Sequence, residues 1–534
     1  MVTKKIITKK TTNDINLNTK KLVQDEILDV NFDNGKKANV IVYIVDKKGL
    51  STALKSAFGK QLKAEIDNNK FEAKTGKFAN LGYINNQKII IAGFGEEKQD
   101  KNNTLHKAKK NITLEVQKLG AKILDCLPSG YKIEVAISNI YTDLEDKMLV
   151  EIYFGLNQKK YNFNKYFTDK KILETQKQIS NIVLIGKKTS KTNISNDIKK
   201  LITERQNQLE GIFYVRTLGN EPSNVIYPAT FVSEIKNAFT GVKNIKIKVL
   251  EKQDLEKLGM NMLLGVAQGS VKEPKVLVVE YRGNPKQSKI DLALIGKGVC
   301  FDSGGLSLKP SQYMEGMKAD MLGATTVMSS LLTMAKNNVK ANIVAVGGMV
   351  ENMPDGNAQK VGDIVKSMSG KTVEIIDTDA EGRLVLGDIL YYAQSTYKPE
   401  YMIDMATLTG AIMVALGTEK AGIFTNDENL GKKLYESGEK TGEHNWIMPL
   451  TEEYFDAIKS KIADIRNLGK TRYAGSATAA SFLANFIGDN KKWAHIDIAG
   501  VDEATGNNVF AKEGLCSGYG VKLLSDFVQT NIEK

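Results

Sequence analysis

Short apolar runs alternate with longer stretches of helical period along almost the whole chain. Residues 38–45, 88–94, 132–137 and 181–186 have the run length and β-branched content of strands, and 105–119 has a helical pattern between two of them. Residues 195–218 place Ile198, Leu201, Ile202, Leu209, Ile212, Phe213 and Val215 among charged positions, which predicts a helix long enough to join two domains. Pro222 in Asn220-Glu-Pro-Ser-Asn224 bars its continuation. Further strands are predicted at 245–250, 275–281, 291–296, 342–350, 372–377, 401–406 and 493–498, with helices between most of them. One helix covers 321–335 with Asp320 in its first turn, and another starts near Leu384. The fold class is therefore α/β with two domains. A small N-terminal α/β domain (1–195) leads through a linker helix (196–218) into a larger domain (219–534) with a central mixed sheet flanked by helices.

Composition narrows the setting. At 534 residues and 58.9 kDa the chain exceeds one ordinary core, and 42% hydrophobic with 25% charged residues is usual for a soluble globular protein. The first 21 residues lack the apolar core of a signal peptide, and the most apolar window, 401–417, is interrupted by Asp404, Thr407 and Thr409 and is short for a membrane span. Cys126, Cys300 and Cys516 form no CxxC pair, so a reduced, cytoplasmic setting is expected, with Cys300 a buried filler. Charge is uneven: residues 1–200 carry 37 Lys, no Arg and a net +15, the rest a net −3. Such asymmetry can mark nucleic-acid contact, but these lysines are scattered among Asn, Ile and Asp, the pattern of a solvated surface. Nucleic acid is thus a partner that is possible but not favoured, and no membrane contact is expected.

Chemistry concentrates in two acidic stretches. Asp377-Thr-Asp-Ala-Glu-Gly-Arg-Leu384 follows the 372–376 alternation, and Lys297-Gly-Val-Cys-Phe-Asp302-Ser-Gly-Gly305 follows the 291–296 run, with Lys309 shortly after. Lys297, Asp302 and Lys309 are expected as loop residues at a strand end, where α/β sheets bind ligands. Four acids, Asp302, Asp320, Asp379 and Glu381, could converge there, and that many carboxylates cannot all stay ionised without cations. Lys309 and Arg383 neutralise only part of the charge. Competing motifs fail. Phe301-Asp-Ser-Gly-Gly305 looks like a serine-protease loop, yet only His106 lies upstream as a base. Ser369-Gly-Lys-Thr372 lacks the first glycine of a phosphate loop, since Val365 stands there. No HExxH occurs, and His106, His444 and His495 are too dispersed for a histidine-rich zinc site. Any metal must be held mainly by oxygen, as in carboxylate sites that bridge two divalent ions.

The blocks 296–309, Met317-Lys-Ala-Asp320, Glu351-Asn-Met-Pro-Asp-Gly-Asn-Ala358 and 377–384 closely resemble, in order and spacing, the leucyl aminopeptidase family of dinuclear metallopeptidases (M17). Asn220-Glu-Pro-Ser-Asn224, Thr407-Leu-Thr-Gly410, Thr478-Ala-Ala-Ser-Phe-Leu483 and His495-Ile-Asp-Ile-Ala-Gly500 extend the resemblance over most of 215–525. It implies that Lys297, Asp302, Asp320, Asp379 and Glu381 hold two divalent ions, Zn or Mn, with Asp302 and Glu381 shared between them. Lys309 and Arg383 are then the catalytic residues, with a bicarbonate on Arg383. Met317, Thr407, Leu408 and Gly410 would shape the pocket for a Leu-like first side chain. The implied reaction is removal of the amino-terminal residue from peptides with a free amino terminus, by a water shared between the ions. The implied assembly is a homohexamer. One position departs from the pattern, Asp377 standing where the family commonly has Asn. Two alternative functions remain open at this level: a DNA-binding regulatory role through the basic first domain, and a metal-dependent phosphoesterase.

Overall fold

The computed structural model describes residues 18–95, 111–130, 132–174 and 178–533. The first sheet contains β1 (Val30–Phe32), β2 (Val40–Val45), β3 (Phe78–Ile84), β4 (Gln87–Gly93), β5 (Lys132–Tyr141) and β6 (Gln178–Ile185), in the order β1-β6-β5-β2-β4-β3. All neighbours are parallel except the edge pair β3 and β4. Helices Ile112–Cys126 and Lys147–Lys160 lie on one face, and the second is buried from Leu149 to Gln158. The helix expected over 105–119 is seen from Ile112; residues 105–110, with His106, lie outside the described residues.

Helix Asn196–Asn220 leads out of this sheet. Ser195 caps it by accepting from the Ile198 N–H at 3.3 Å, as helix N-termini require. Its first half is partly solvated, and it is buried from Gln208 to Asn220, where it runs between the two parts of the chain. Arg205 near its middle makes a forked pair with Glu151, whose nearest contact is 2.7 Å. Arg216 is 2% exposed and donates to the carbonyls of Ser517 (2.9 Å), Gln158 (2.6 Å) and Phe510 (3.2 Å), its guanidinium lying over the rings of Tyr161 and Phe213. One side chain thus ties three distant segments to the connecting helix.

The second sheet has eight strands: β7 (Ile245–Leu250), β8 (Lys275–Arg282), β9 (Leu292–Asp302), β10 (Asn342–Asn352), β13 (Tyr401–Ala406), β14 (Ala421–Thr425), β15 (Asn445–Ile447) and β17 (Lys492–Asp497), in the order β15-β14-β17-β13-β9-β10-β8-β7. The four central strands β17, β13, β9 and β10 are parallel, while β14 and β8 run against them, so the sheet is mixed as expected. Strand β10 is buried at every position, the continuous apolar pattern of a strand covered on both faces. Helices Leu322–Lys336 and Gly382–Tyr397 pack against β9, each on its own side of the sheet's core.

Three expectations change. Strand β9 does not stop at residue 296 but continues to Asp302, so Lys297 and Asp302 are strand residues and only Lys309 is in the loop. The 372–377 stretch does not join the central sheet. It contributes β12 (Thr372–Glu374) to a separate sheet with β11 (Ile364–Lys366) and β16 (Ile465–Arg466), and just beyond the strand Asn467 accepts from the N–H groups of Ile376 and Asp377. Asp320, finally, precedes the cap of helix Leu322–Lys336 instead of lying in its first turn. Among the described residues, no helix is long and apolar enough to cross a membrane.

Replacing Arg216 with Met should leave two buried carbonyls and one part-buried carbonyl without their donor and lower stability by about 3 kcal/mol, at roughly 1 kcal/mol for each unmade bond. A thermal-unfolding midpoint equal to that of the parent protein would refute the clasp.

Candidate active site

The chemistry collects at the carboxyl ends of the parallel strands. Lys297 sits within β9 and Asp302 ends it, five residues apart, so in a regular strand their side chains would face opposite ways. Pairing with β10 shifts register between Val350 and Glu351, where Val299 and Phe301 are successive partners and Cys300 is the extra residue. This bulge turns Asp302 to the side of Lys297. Asn352, opposite Asp302 at the end of β10, donates to the Asp302 Oδ1 at 2.8 Å and to the Thr378 carbonyl at 3.0 Å.

From Asp302 the chain makes a turn that only glycine fits. Gly304 has φ +88°, and a Cβ there would stand 2.3 Å from the Ser307 carbonyl oxygen and 2.8 Å from the Asp379 Oδ1. The 303–309 loop then docks on 376–381: the Thr378 hydroxyl donates to the Gly304 carbonyl (2.7 Å) and accepts from the Ser307 N–H (2.8 Å). Asn467 holds the other side of that segment, accepting from Ile376 N–H at 2.7 Å and donating to the Asp377 carbonyl at 2.6 Å. Asp377 accepts from the Asp379 N–H at 2.9 Å. Helix Gly382–Tyr397 begins immediately after Glu381, and a Cβ on Gly382 would stand 2.6 Å from the Lys297 Cε, so glycine lets the helix approach the lysine.

These elements bring together all of Lys297, Asp302, Lys309, Asp320, Asp379 and Glu381. The Lys297 ammonium lies 2.8 Å from both Asp320 and Glu381 and donates to the Thr407 carbonyl at 2.9 Å. Lys309 lies 2.9 Å from Asp302 and 2.5 Å from Asp379. Oxygen atoms of Asp302, Asp379 and Glu381 come within 4.8 Å of one another, close enough to share an ion. Asp320 Oδ1 accepts from the Thr407 hydroxyl at 2.8 Å, while its Oδ2 is buried without a partner.

Electrostatics follow from this crowding. Burial raises the Asp320 and Asp379 carboxyls, and burial together with Asp302 pushes Glu381 up to about 7. Burial alone would discharge Lys297, but Asp320, Glu381 and Asp302 outweigh it and hold the ammonium above its ordinary range. Lys309 is raised in the same way, against burial, by Asp302 and Glu381. Arg383 is pushed down to about 10 by burial; its Nη1 donates to the Asn467 carbonyl at 2.8 Å and its Nε has no partner.

The remaining expectations spread around this cluster. Met317 lines a cavity of about 370 Å³ with Met413, Ala499 and Gly500. Thr407 and Leu408 form its neighbouring loop, the Leu408 N–H donating to Asp497 at 3.1 Å. Gly410 opens helix Gly410–Leu416 with nothing near its Cβ position. No histidine enters the cluster among the described residues: His444 pairs with Glu439, and His495 is fully buried with its Nδ1 2.6 Å from Asp404. All three cysteines are free, and Cys300 is buried in the bulge. Asn352, Asn467 and Asp497 were not singled out in the sequence. Asn352 and Asp497 were marked only by lying inside resembling blocks and Asn467 by nothing, since a side chain that orients a loop leaves no periodicity.

Comparison with known proteins agrees with this architecture. Residues 213–525 match the model of the cytosol aminopeptidase family, catalytic domain. A Rickettsia bellii protein named "Probable cytosol aminopeptidase" is 38% identical over 532 residues, 95% of this chain and 100% of that one. A Bradyrhizobium protein of the same name is 45% identical over 375 residues, 70% and 72% of the two chains. Among solved structures, a mutant of tomato leucine aminopeptidase superposes with a TM-score of 0.81 at 27% identity, covering 94% of this chain and 97% of that one. A bottromycin maturation enzyme in complex with Mn gives 0.77 at 25%, covering 92% and 99%. Fold and cluster together are those of an α/β hydrolytic enzyme of the aminopeptidase class. The chain belongs to the cytosol aminopeptidase family.

Because Asn467 alone accepts both the Ile376 and Asp377 N–H groups, Asn467→Ala should free them, raising their amide hydrogen exchange by about tenfold or more for each 1.4 kcal/mol of lost protection. Unchanged exchange at 376–377 would show that the loop is held elsewhere.

Proposed function

We propose that this aminopeptidase is metal-dependent and removes single amino-terminal residues, Leu-like ones among them, from peptides with a free amino terminus. The carrying observation is the convergence of Asp302, Asp320, Asp379 and Glu381 on two lysine ammonium groups in a buried pocket. The donor set fits divalent ions. It is rich in oxygen with one lysine nitrogen, and Asp320 keeps a buried oxygen unpartnered. Lys297, Asp302, Asp320, Asp379 and Glu381 would hold two ions, Zn or Mn, with Asp302 and Glu381 shared. The manganese named with the bottromycin maturation enzyme supports this choice. Lys297 could serve as a nitrogen ligand only after giving up its proton, a loss that the counter-charge of a divalent ion among these carboxylates would offset. Two such ions would supply Lewis-acid polarisation of the scissile carbonyl and activation of the attacking water.

The chain's own groups do the rest. Lys309, kept charged by Asp302 and Glu381, donates to the carbonyl oxygen as negative charge develops there. Arg383 commits Nη1 to Asn467 and leaves donors for a small anion; a bicarbonate held there would take the proton from water, a role no histidine in the cluster fills. Met317 and Met413 give the neighbouring cavity an apolar wall for the first side chain. Thr407 orients Asp320 and Lys297, while Leu408 and Gly410 border the cleft. We assign the chemistry to residues 219–534, with 196–218 as linker helix and 1–195 as a supporting domain. A cytoplasmic homohexamer is the assembly and setting that fit the resemblance.

Three outcomes test the reading. Asp302→Ala or Glu381→Ala should lose most bound metal by elemental analysis and nearly all activity; two tightly held ions in either variant would exclude sharing. Lys309→Ala should keep its metal and lose roughly 100- to 1000-fold in kcat, the usual cost of removing an oxyanion donor. Acetylating the substrate's amino group should abolish cleavage, and equal rates on blocked and free peptides would point to an endopeptidase.

A further inference from the structure

The cavity of about 370 Å³ beside Met317 has walls of Phe163, Met317, Met413 and Leu515, and Asp502 also lines it. That carboxylate accepts only from backbone, from the N–H of its neighbour Glu503 at 2.9 Å and from its own N–H, and makes no ion pair among the described residues. The lysine that borders the same cavity, Lys318, is committed elsewhere, donating to the Asn220 carbonyl at 2.7 Å. Glu315 and Glu503 border it too, so the lining carries three carboxylates against one engaged ammonium. Burial, with Glu503 and Asp497 adding to it, pushes the Asp502 carboxyl up to about 7. An acid in largely apolar surroundings without a paired cation is unfavourable, and among the described residues no ammonium or guanidinium pairs with Asp502.

Position says what could supply one. Met317 to Ala319 run directly into Asp320 of the cluster, and Ala499 on the opposite wall donates its N–H to Asp497, whose carboxylate also holds Leu408 and Thr409. The cavity therefore adjoins the cluster, through Met317–Ala319 on one side and Ala499 on the other. Apolar walls leading to a carboxylate match a side chain with an aliphatic stem and a cationic head. We infer that this cavity receives the first side chain of the peptide and that Asp502 makes the enzyme accept lysine and arginine there, alongside Leu-like residues.

This inference rests on the aminopeptidase reading and deepens it. It is tested on the metal-loaded enzyme with leucine, lysine and arginine amides, comparing the parent protein with Asp502→Asn and Asp502→Ala. The parent should hydrolyse the lysine and arginine amides no less efficiently than leucine amide. Both variants should lose at least roughly 30-fold in kcat/KM on the basic substrates, the low end of the effect of removing one partner of a desolvated charge pair. Leucine amide should be little changed, which also reports that the variants fold. On the parent protein, free lysine should inhibit leucine amide hydrolysis more strongly than norleucine, its uncharged counterpart in length. Equal losses on all three amides, or norleucine binding as well as lysine, would overturn the role of Asp502. Hydrolysis of none of the amides by the parent would instead overturn the aminopeptidase reading itself.

Discussion

Crowding of like charge governs this structure. Asp302, Asp320, Asp379 and Glu381 are drawn into one pocket, and their mutual repulsion adds to the penalty of removing each from water. Nothing local to any one of them can offset that. It is offset by Lys297 and Lys309, which reach the pocket from one strand and the loop beyond it, each set between two carboxylates. The rest of the catalytic part can be read as what this requires. Strand β9 must run far enough to carry both Lys297 and Asp302, a bulge must correct their facing, and a glycine must open helix Gly382–Tyr397 so that it can pass close to the lysine stem.

Two asparagines hold the loops around the pocket, alongside the carboxylates of Asp377 and Asp497. Asn352 and Asn467 each bind two or more groups across separate segments, satisfying buried backbone without adding to the charge in the pocket. Arg216, which clasps the connecting helix to distant carbonyls, lies instead where no carboxylate among the described residues accepts from it. Positive charge is thus divided between two roles, the lysines answering the acids while a buried guanidinium joins backbone segments.

Much of this was legible in the chain. The long helix, the alternation of strands and helices, and the order of the acidic blocks came from periodicity and motif spacing, and the mixed α/β architecture agrees with them. What escaped was register. The sequence suggested that a strand ended before Lys297, because lysine and glycine interrupt an apolar run; in the structure β9 continues through them, the lysine being buried against carboxylates that periodicity cannot see. The 372–377 stretch failed for the converse reason. Its alternation is real, but its partners are β11 and β16 in a small separate sheet and then the Asn467 side chain, and nothing in the stretch itself announces partners some 90 residues away.

Asp377 illustrates how such a pocket tolerates a change of charge. The position needs an acceptor for the Asp379 N–H, and one oxygen of a carboxylate provides it as an amide oxygen would, so the turn is kept. The added charge is felt electrostatically. The Asp379 carboxyl is raised by burial and by Asp302, and Asp377 adds to that, while the buried Arg383 guanidinium, lowered by burial, is supported by Glu381 and by Asp377. An acid here therefore makes Asp379 harder to ionise and Arg383 easier to keep charged. The charge of Asp377 thus reaches the cluster at two places, Asp379 and Arg383, and pushes both toward their protonated forms.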